Sequence, residues 1–106
     1  MTNTHAVDEC FLGTEKKYRL EIEAEGFEMA RHDFEVVLRR GGRTLTFPKS
    51  ALGRDGDGGW LLTFDTRALG PGLVTATVTA HVPDQAFPDG IRDEVESFPL
   101  LIIKAA

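Results

Sequence analysis

The stretch DTRALGPGLVTATVTAHV, residues 65–82, decides the fold of this chain. From Leu73 to Val82, valine and alanine alternate with leucine, threonine and histidine. β-Branched residues fill six of these ten positions. This composition favours a strand, because branching at Cβ restricts a side chain in a helix and packs well on a sheet. We therefore predict one long strand with a buried face and an outward face.

The residues just before this strand predict a capped turn. Asp65 or Thr66 can cap a single helical turn, and Leu69 is then placed to fill the core beneath it. The segment Gly70-Pro71-Gly72 stops that turn and reverses the chain into the long strand.

A second tight turn is predicted after the long strand, where the sequence reads Phe87, Pro88, Asp89, Gly90. Pro88 presets φ, Asp89 can hydrogen-bond to the backbone, and Gly90 takes the left-handed position. Phe87 is expected to pack onto the core and hold the loop in place.

Period-two alternation of apolar and polar residues recurs along the rest of the chain. It covers residues 18–24, 34–39, 44–48, 60–64, 91–96 and 98–104, with Pro99 separating the last two segments. Paired glycines at 41–42 predict a hairpin turn. With the long strand, this makes about seven strands separated by turn residues, a spacing typical of a β-sandwich or barrel.

The predicted fold is all-β, a sandwich of about seven antiparallel strands formed by a single domain over residues 1–106. The capped turn leading into a long strand resembles the corner between strands E and F of immunoglobulin-like domains, which implies an immunoglobulin-like sandwich. Cys10 is the only cysteine, so no disulfide joins the sheets. Residues 1–17 are expected to form an extended or flexible segment, in which 10–13 either add an edge strand or dock against a neighbouring subunit.

Charge and hydropathy narrow the function classes. The chain carries 17 acidic and 12 basic residues, for a net charge of −5. This balance argues against a nucleic-acid partner, which a basic face would bind. No window approaches the ~18 uninterrupted apolar residues of a membrane span. Residues 1–17 have neither a basic start nor an apolar core, so we expect synthesis in the cytoplasm without a signal peptide.

Few residues suggest catalysis or metal binding. No nucleophile–base pair or cofactor motif is visible, and we predict a chain that is not an enzyme and needs no cofactor. Asp55 and Asp57 lie on a glycine-rich loop and are the one calcium candidate. Gly59 and Thr66 stand where an EF-hand loop has further ligands. A polar turn between strands is therefore the favoured interpretation of this loop.

The apolar segment near the C-terminal end predicts a docking surface. Residues 100–103 read Leu-Leu-Ile-Ile, which is apolar on both faces of a strand. Such a strand needs cover on both sides. The expected interaction residues are Phe98, Leu100, Leu101, Ile102 and Ile103.

A family resemblance rests on residues 65–95. The corner Asp65-Thr66 to Gly72, the run Val82-Pro83-Asp84, the turn 87–90 and the segment Arg92-Asp93-Glu94-Val95 resemble small prophage-encoded β-sandwich proteins of gut bacteria. The same corner is similar to the N-terminal domain of phage baseplate upper proteins. The resemblance implies a non-enzymatic structural or assembly role in a phage-type tail or baseplate, and a place in the virion. It carries no catalytic residues.

Two partner classes follow. The first is other structural proteins or a second copy of the chain, bound through strand edges or through 98–103. The alternative is a carbohydrate-binding or adhesion module, for which Trp60, Tyr18 and Phe87 are the only available aromatic platforms. Core packing is the favoured role of these aromatic side chains.

Overall fold

The computed structural model describes residues 7–106 as eight strands in two sheets. Two short 3-10 turns, Lys49–Ala51 and Thr66–Ala68, interrupt them, and the described residues form no α-helix. The all-β prediction is therefore confirmed. The strands are β1 Asp8–Phe11, β2 Glu15–Leu20, β3 Phe34–Arg40, β4 Arg43–Pro48, β5 Gly53–Arg54, β6 Trp60–Asp65, β7 Gly72–Pro83 and β8 Ile91–Lys104.

One sheet has five strands in the order β1-β8-β7-β3-β4, and the other has three in the order β2-β6-β5. Every pairing is antiparallel except that of β1, which lies parallel to β8. The glycine turn at 41–42 joins β3 to β4 as predicted, with Arg40 opposite Arg43. The fold therefore brings the beginning of the described chain beside its last strand.

The core lies between the two sheets. Along β7, each residue from Val74 to Val82 on the predicted inward face is buried, and the residues between them are not. Phe34, Val36 and Leu38 of β3 are buried in the same way. The alternation predicted from the sequence is confirmed for both strands, because a pleated strand buries every second side chain.

The capped corner forms as the sequence predicts. The Asp65 carboxylate accepts a hydrogen bond of 2.9 Å from the Arg67 backbone N–H, and Leu69 is 0% exposed. Gly70 has a φ of 83°, in the region that favours glycine. The Leu69 carbonyl accepts a 2.7 Å bond from Arg40 Nε, which ties this corner to the end of β3.

The second turn also forms, but one of its residues behaves differently. The Gly90 N–H donates to the Phe87 carbonyl at 2.9 Å, Gly90 has a φ of 76°, and the Asp89 carboxylate accepts from the Ile91 N–H. Phe87 is 43% exposed, so the prediction that it packs on the core is wrong. The loop closes on its own backbone bonds, which include one from the Asp84 N–H to the Gly90 carbonyl, and it needs no side chain to hold it.

The strand count changes at both ends of the chain. The two predicted segments around Pro99 are one strand, β8, with a register shift opposite Val74 and Thr75. Proline is tolerated beside a bulge and at a sheet edge, where no neighbour needs its N–H. The strand β1 is the edge strand that one alternative for residues 10–13 predicts, here at Asp8–Phe11, and β5, in the middle of the chain, is additional. Within the predicted segment 1–17, residues 1–6 lie outside the described residues, while Asp8–Phe11 and the start of β2 are paired.

Candidate protein-interaction face

We call the solvent side of the five-stranded sheet the outer face. The register places Val37, Thr77 and Ser97 side by side across β3, β7 and β8, all on the side opposite the core. The Thr77 and Ser97 hydroxyls hydrogen-bond at 2.9 Å. The outward residues of β7 are Leu73, Thr75, Thr77, Thr79 and His81, and those beside them on β8 include Asp93, Val95, Ser97, Pro99 and Ile102.

Large apolar side chains lie exposed on this face. Val95 is 60% exposed and lies beside Thr79, and Leu73 is 50% exposed and lies beside Ile102. Phe11 of the edge strand β1 is 62% exposed. Leu73, Ile102 and Phe11 lie near one end of the outer face, whereas Val95 lies beside Thr79, six residues along β7 from Leu73. Single exposed apolar residues are common on protein surfaces, and groups of them are the surfaces that protein partners cover.

A histidine held by two carboxylates marks the end of the outer face near residue 35. His81 Nδ1 lies 2.7 Å from Asp93 Oδ1, and His81 Nε2 lies 3.3 Å from Glu35 Oε1. The hydrogen bond with Asp93 raises the pKa of His81, partial burial opposes the shift, and Glu35 adds to it. We call this the acidic end. Both ring nitrogens are engaged, which leaves no free imidazole lone pair for a metal or a substrate.

The opposite end of the outer face is basic. Arg39 lies on β3 four residues after Glu35, about 13 Å away at the usual strand rise. It is exposed and forms no ion pair within residues 7–106. Lys104 also lies here, 3.1 Å from Glu9 and 5.9 Å from the centre of the Phe11 ring. Glu9 lies on the same face and offsets the charge of Lys104, so Arg39 supplies the net positive charge of this end, opposite in sign to the acidic end.

The predicted interaction segment 98–103 is only partly available. Leu101 and Ile103 are 0% and 2% exposed and belong to the core between the sheets, so neither can dock a partner. Phe98 and Leu100 are half-buried and pack against that core. Only Ile102 points to the outer face, beside Leu73. The prediction is wrong for Leu101 and Ile103, because β1 and the second sheet already cover this end of β8.

The free edge of β8 carries inward charges. β1 pairs only with Leu101 to Lys104, so no described strand covers the edge of residues 91–99. Arg92, Glu94 and Glu96 occupy the inward positions there, opposite buried residues of β7. Inward-pointing charges on an edge strand disfavour pairing with another strand, because pairing would bury them. The edge is thus a poor docking site in comparison with the outer face.

A hydrogen-bond network holds these inward charges. Arg92 binds Asp84 and Glu94 and also donates to the Glu25 carbonyl at 3.1 Å. Glu96 Oε2 is buried and has no hydrogen-bond partner among the described residues. A bond from the Ala86 N–H, followed by the one from Arg92, holds the pKa of Asp84 below its usual value.

The calcium candidate is occupied by a cationic side chain. Arg19 Nη1 lies 3.0 Å from Asp57 and 3.4 Å from Asp55, so the guanidinium takes the place that a cation would need. That contact and a bond from the Gly59 N–H hold the pKa of Asp57 below its usual value. Among residues 7–106, no three His, Cys, Asp or Glu side chains meet in a way that would hold a metal. The loop is a turn tied to β2.

The proposed sugar platforms are largely engaged elsewhere. The Arg54 guanidinium lies 3.8 Å from the centre of the Trp60 ring and covers one of its faces. Tyr18 stacks on Phe64 at 6.2 Å and donates its hydroxyl to Asp8, and burial raises its pKa. Of the three aromatic side chains, only Phe87 remains exposed, and it stands alone on its loop.

Two further features of the described residues bear on function. A surface depression of about 480 Å³ lies over β2 and β6, and its lining offers charged groups but no nucleophile paired with a base. No helix within residues 7–106 has the length and apolar character to cross a membrane. The lining residues are Glu15, Lys16, Lys17, Thr63, Phe64 and Asp65.

Sequence reasoning missed the exposed apolar residues of the outer face. The alternation of β7 did place Leu73 on the outward side, but it attached no function to that position. Val95 was missed because its face depends on which strand lies beside β8, and the prediction for residues 10–13 named the segment without singling out Phe11. The available signal was an apolar residue on the polar phase of an alternating strand. Comparison of the chain with protein-family models, curated proteins and solved structures finds no match.

Proposed function

We propose that this chain is a non-enzymatic assembly module that binds protein through the outer face of its five-stranded sheet. One observation carries the proposal. Val95, Leu73 and Phe11 expose half or more of their area on one sheet face. Water contact with these side chains is unfavourable by about 25 cal/mol per Å² of apolar area, so a partner that covers them gains free energy.

The outer face is an open sheet surface, which favours a protein partner over a small molecule. Small ligands bind in concave pockets, whereas proteins bind across broad, shape-complementary surfaces. Threonines 75, 77 and 79 form a row along β7, and their methyl and hydroxyl groups suit a mixed apolar and hydrogen-bonded contact. The alternative, carbohydrate binding, gains no support from Trp60, which Arg54 already covers.

We further propose that the module is an immunoglobulin-like sandwich. The support is its strand order, in which a short strand lies parallel to the last strand and three strands form the opposite sheet. The capped turn from Asp65 to Leu69 that leads into β7 adds to this. Sandwiches of this class use one sheet face or the loops at one end for recognition.

The place of action that we propose is a phage-type tail or baseplate, with the virion as its location and other structural proteins as partners. The support is the sequence resemblance of residues 65–95 to prophage-encoded β-sandwich proteins. Outer-face contacts suit such assemblies, because rigid β modules join there through pre-formed surfaces.

Site-specific photo-crosslinking in the cell that produces the protein tests this proposal. A benzophenone side chain is placed at Val95 on the outer face and, as a matched control, at exposed Thr63 on the three-stranded sheet. We expect a protein adduct of discrete mass from Val95 and none from Thr63. Equal adducts from both positions, or no protein adduct from Val95, would overturn the proposal. Mass spectrometry of the adduct tests the tail or baseplate assignment separately.

A further inference from the structure

We propose that the partner on the outer face is a second copy of this chain, bound face to face about a two-fold axis that crosses the strands. The axis runs along the row Val37, Thr77, Ser97, so that the acidic end of each copy meets the basic end of the other. This inference rests on the proposed function, because it names the occupant of the same face.

The charge distribution selects this occupant. Glu35 and Arg39 both point outward from β3, one on each side of Val37. A rotation about an axis across the strands places Glu35 over the partner's Arg39, and symmetry repeats the contact, so each dimer forms two such pairs. A two-fold interface needs this kind of self-complementary surface, in which one patch faces its own copy.

The other face-to-face arrangement is disfavoured by charge. An axis parallel to the strands would place acidic end on acidic end, with Glu35 and Asp93 of both copies together. Like charges brought together at an interface cost several kcal/mol, which suppresses that pairing. Both axes keep the strands of the two sheets closely aligned, the arrangement that packs sheets about 10 Å apart, so the charges decide between them.

The same operation brings Val95 and the threonine row of β7 into contact with methyl-bearing or apolar groups. Val95 and Pro99 are the outward residues on either side of Ser97 along β8. The rotation therefore places Val95 over the partner's Pro99. By the same geometry Thr79 meets the partner's Thr75, and Val37 meets its own copy. Glu35 and Arg39 belong to the same two rows as Thr79 and Thr75, so the charged pairs lie at the β3 side of rows whose β7 and β8 positions are methyl-bearing or apolar. One row further out, the operation places His81 over the partner's Leu73 and Asp93 over the partner's Ile102.

Pairing through the free edge of β8 is the competing way to join two copies. It would align two antiparallel β8 strands and bring Glu94 against the partner's Glu96 at inward positions around Val95. Two facing carboxylates on a strand pair are destabilising. The guarded edge therefore leaves the outer face as the surface for self-association.

A charge-reversal series on the purified full chain tests the inference by sedimentation velocity over a concentration series. The wild type is expected to dimerise. Arg39→Glu and Glu35→Arg each place like charges across both symmetric contacts, so each is expected to weaken dimerisation about tenfold or more. The double variant Glu35→Arg/Arg39→Glu restores opposite charges and is expected to recover dimerisation. A mixture of the two single variants is expected to form the mixed dimer.

The controls separate this inference from the proposed function. Far-UV circular dichroism and thermal melting of each variant verify that the fold is retained. The double variant also lacks the Glu35–His81 contact, so if it recovers dimerisation, loss of that contact is not the cause of the weakening in Glu35→Arg. A wild type that stays monomeric, or a double variant no better than the singles, overturns the inference. If the Val95 crosslink then joins a different protein, the proposed function stands and only the second-copy assignment fails.

Discussion

The solvent sides of the two sheets carry different kinds of side chain. On the three-stranded sheet, Arg19 of β2 lies among Asp55, Asp57 and Glu21, so charged groups satisfy one another in water. On the five-stranded sheet, the same kind of surface carries threonines with Val95 and Leu73. A charged sheet face is stable in contact with water. A face with exposed apolar side chains reaches a lower free energy when another surface covers it.

The largest effect is expected from two neighbouring residues of β8 that lie on opposite faces of the sheet. Leu101 faces the core and Ile102 the outer face, so Leu101→Ala is expected to lower the free energy of unfolding by about 2–5 kcal/mol. Ile102→Ala is the matched control, and we expect a clearly smaller loss of stability with weaker self-association. Urea denaturation measures the free energy of unfolding of both variants, and sedimentation velocity measures their self-association. Equal losses of unfolding free energy in the two variants would contradict the burial of Leu101 and support its predicted role in interaction.

The second prediction compares the two outer surfaces directly. Val95→Asp removes an apolar contact worth about 1.5–3 kcal/mol if fully buried, so dimerisation is expected to weaken about tenfold to a hundredfold. Thr63→Asp makes a similar change on the three-stranded sheet and is expected to leave dimerisation unchanged. Sedimentation velocity measures both variants. If Thr63→Asp dissociates the dimer instead, the wrong sheet has been assigned.

A smaller effect is expected from the charged surface itself. Arg19→Ala removes the partner of Asp55 and Asp57, all of them exposed, and exposed ion pairs contribute little because water and salt screen them. We expect a thermal midpoint close to that of the wild type, and a difference that vanishes at high salt. Differential scanning calorimetry at low and high salt measures this. A large loss that persists in salt would show that the loop holds the sheet together.

The smallest effect is a pH dependence that differs between the two surfaces. The pKa of His81 is raised in the folded state, chiefly by Asp93, with Glu35 and Asp33 adding to the shift. Its stabilisation is therefore complete below the ordinary value of about 6.5 and is lost as pH rises through the folded pKa. The pKa of Asp57 is lowered, so its contribution is present above about 3.9 and is lost as pH falls.

Unfolding of wild type and His81→Gln at about pH 5 and about pH 8 isolates the histidine term. The wild type is expected to lose slightly more stability than the variant between these two pH values. Asp57→Asn compared with wild type at about pH 6 and about pH 3 isolates the opposite term. If the variants lose stability in parallel with the wild type, these groups do not carry the pH dependence.

The sequence was most informative where the structure depends on neighbours in the chain. The inward faces of β3 and β7, the Asp65 cap, the Leu69 plug and the turn at 87–90 all follow from local alternation and turn chemistry. These features need only the intrinsic period of a strand and the φ preferences of glycine and proline. They are sufficient to predict the all-β class without any long-range contact.

The candidate site depends instead on long-range pairing, which local patterns do not contain. The bulge near Leu100 places both Leu100 and Leu101 toward the core, so a run that looked two-faced buries part of itself. Arg54 over Trp60 and Arg19 between two aspartates are contacts between separate segments. Each removed a function that isolated residues suggested, namely a sugar platform and a cation site.

The parallel pairing of β1 with β8 also bears on the order of folding. Asp8 lies opposite Leu101, so this contact closes a loop that spans almost the whole chain. Such a contact has a large entropic cost of loop closure. It stabilises the fold only after the other strands are in place. We expect β1 to dock last and open first, so its amides should exchange hydrogen before those of β7. While β1 is undocked, the apolar end of β8 is an open edge to which a strand of another molecule can pair, so we expect aggregation to begin there.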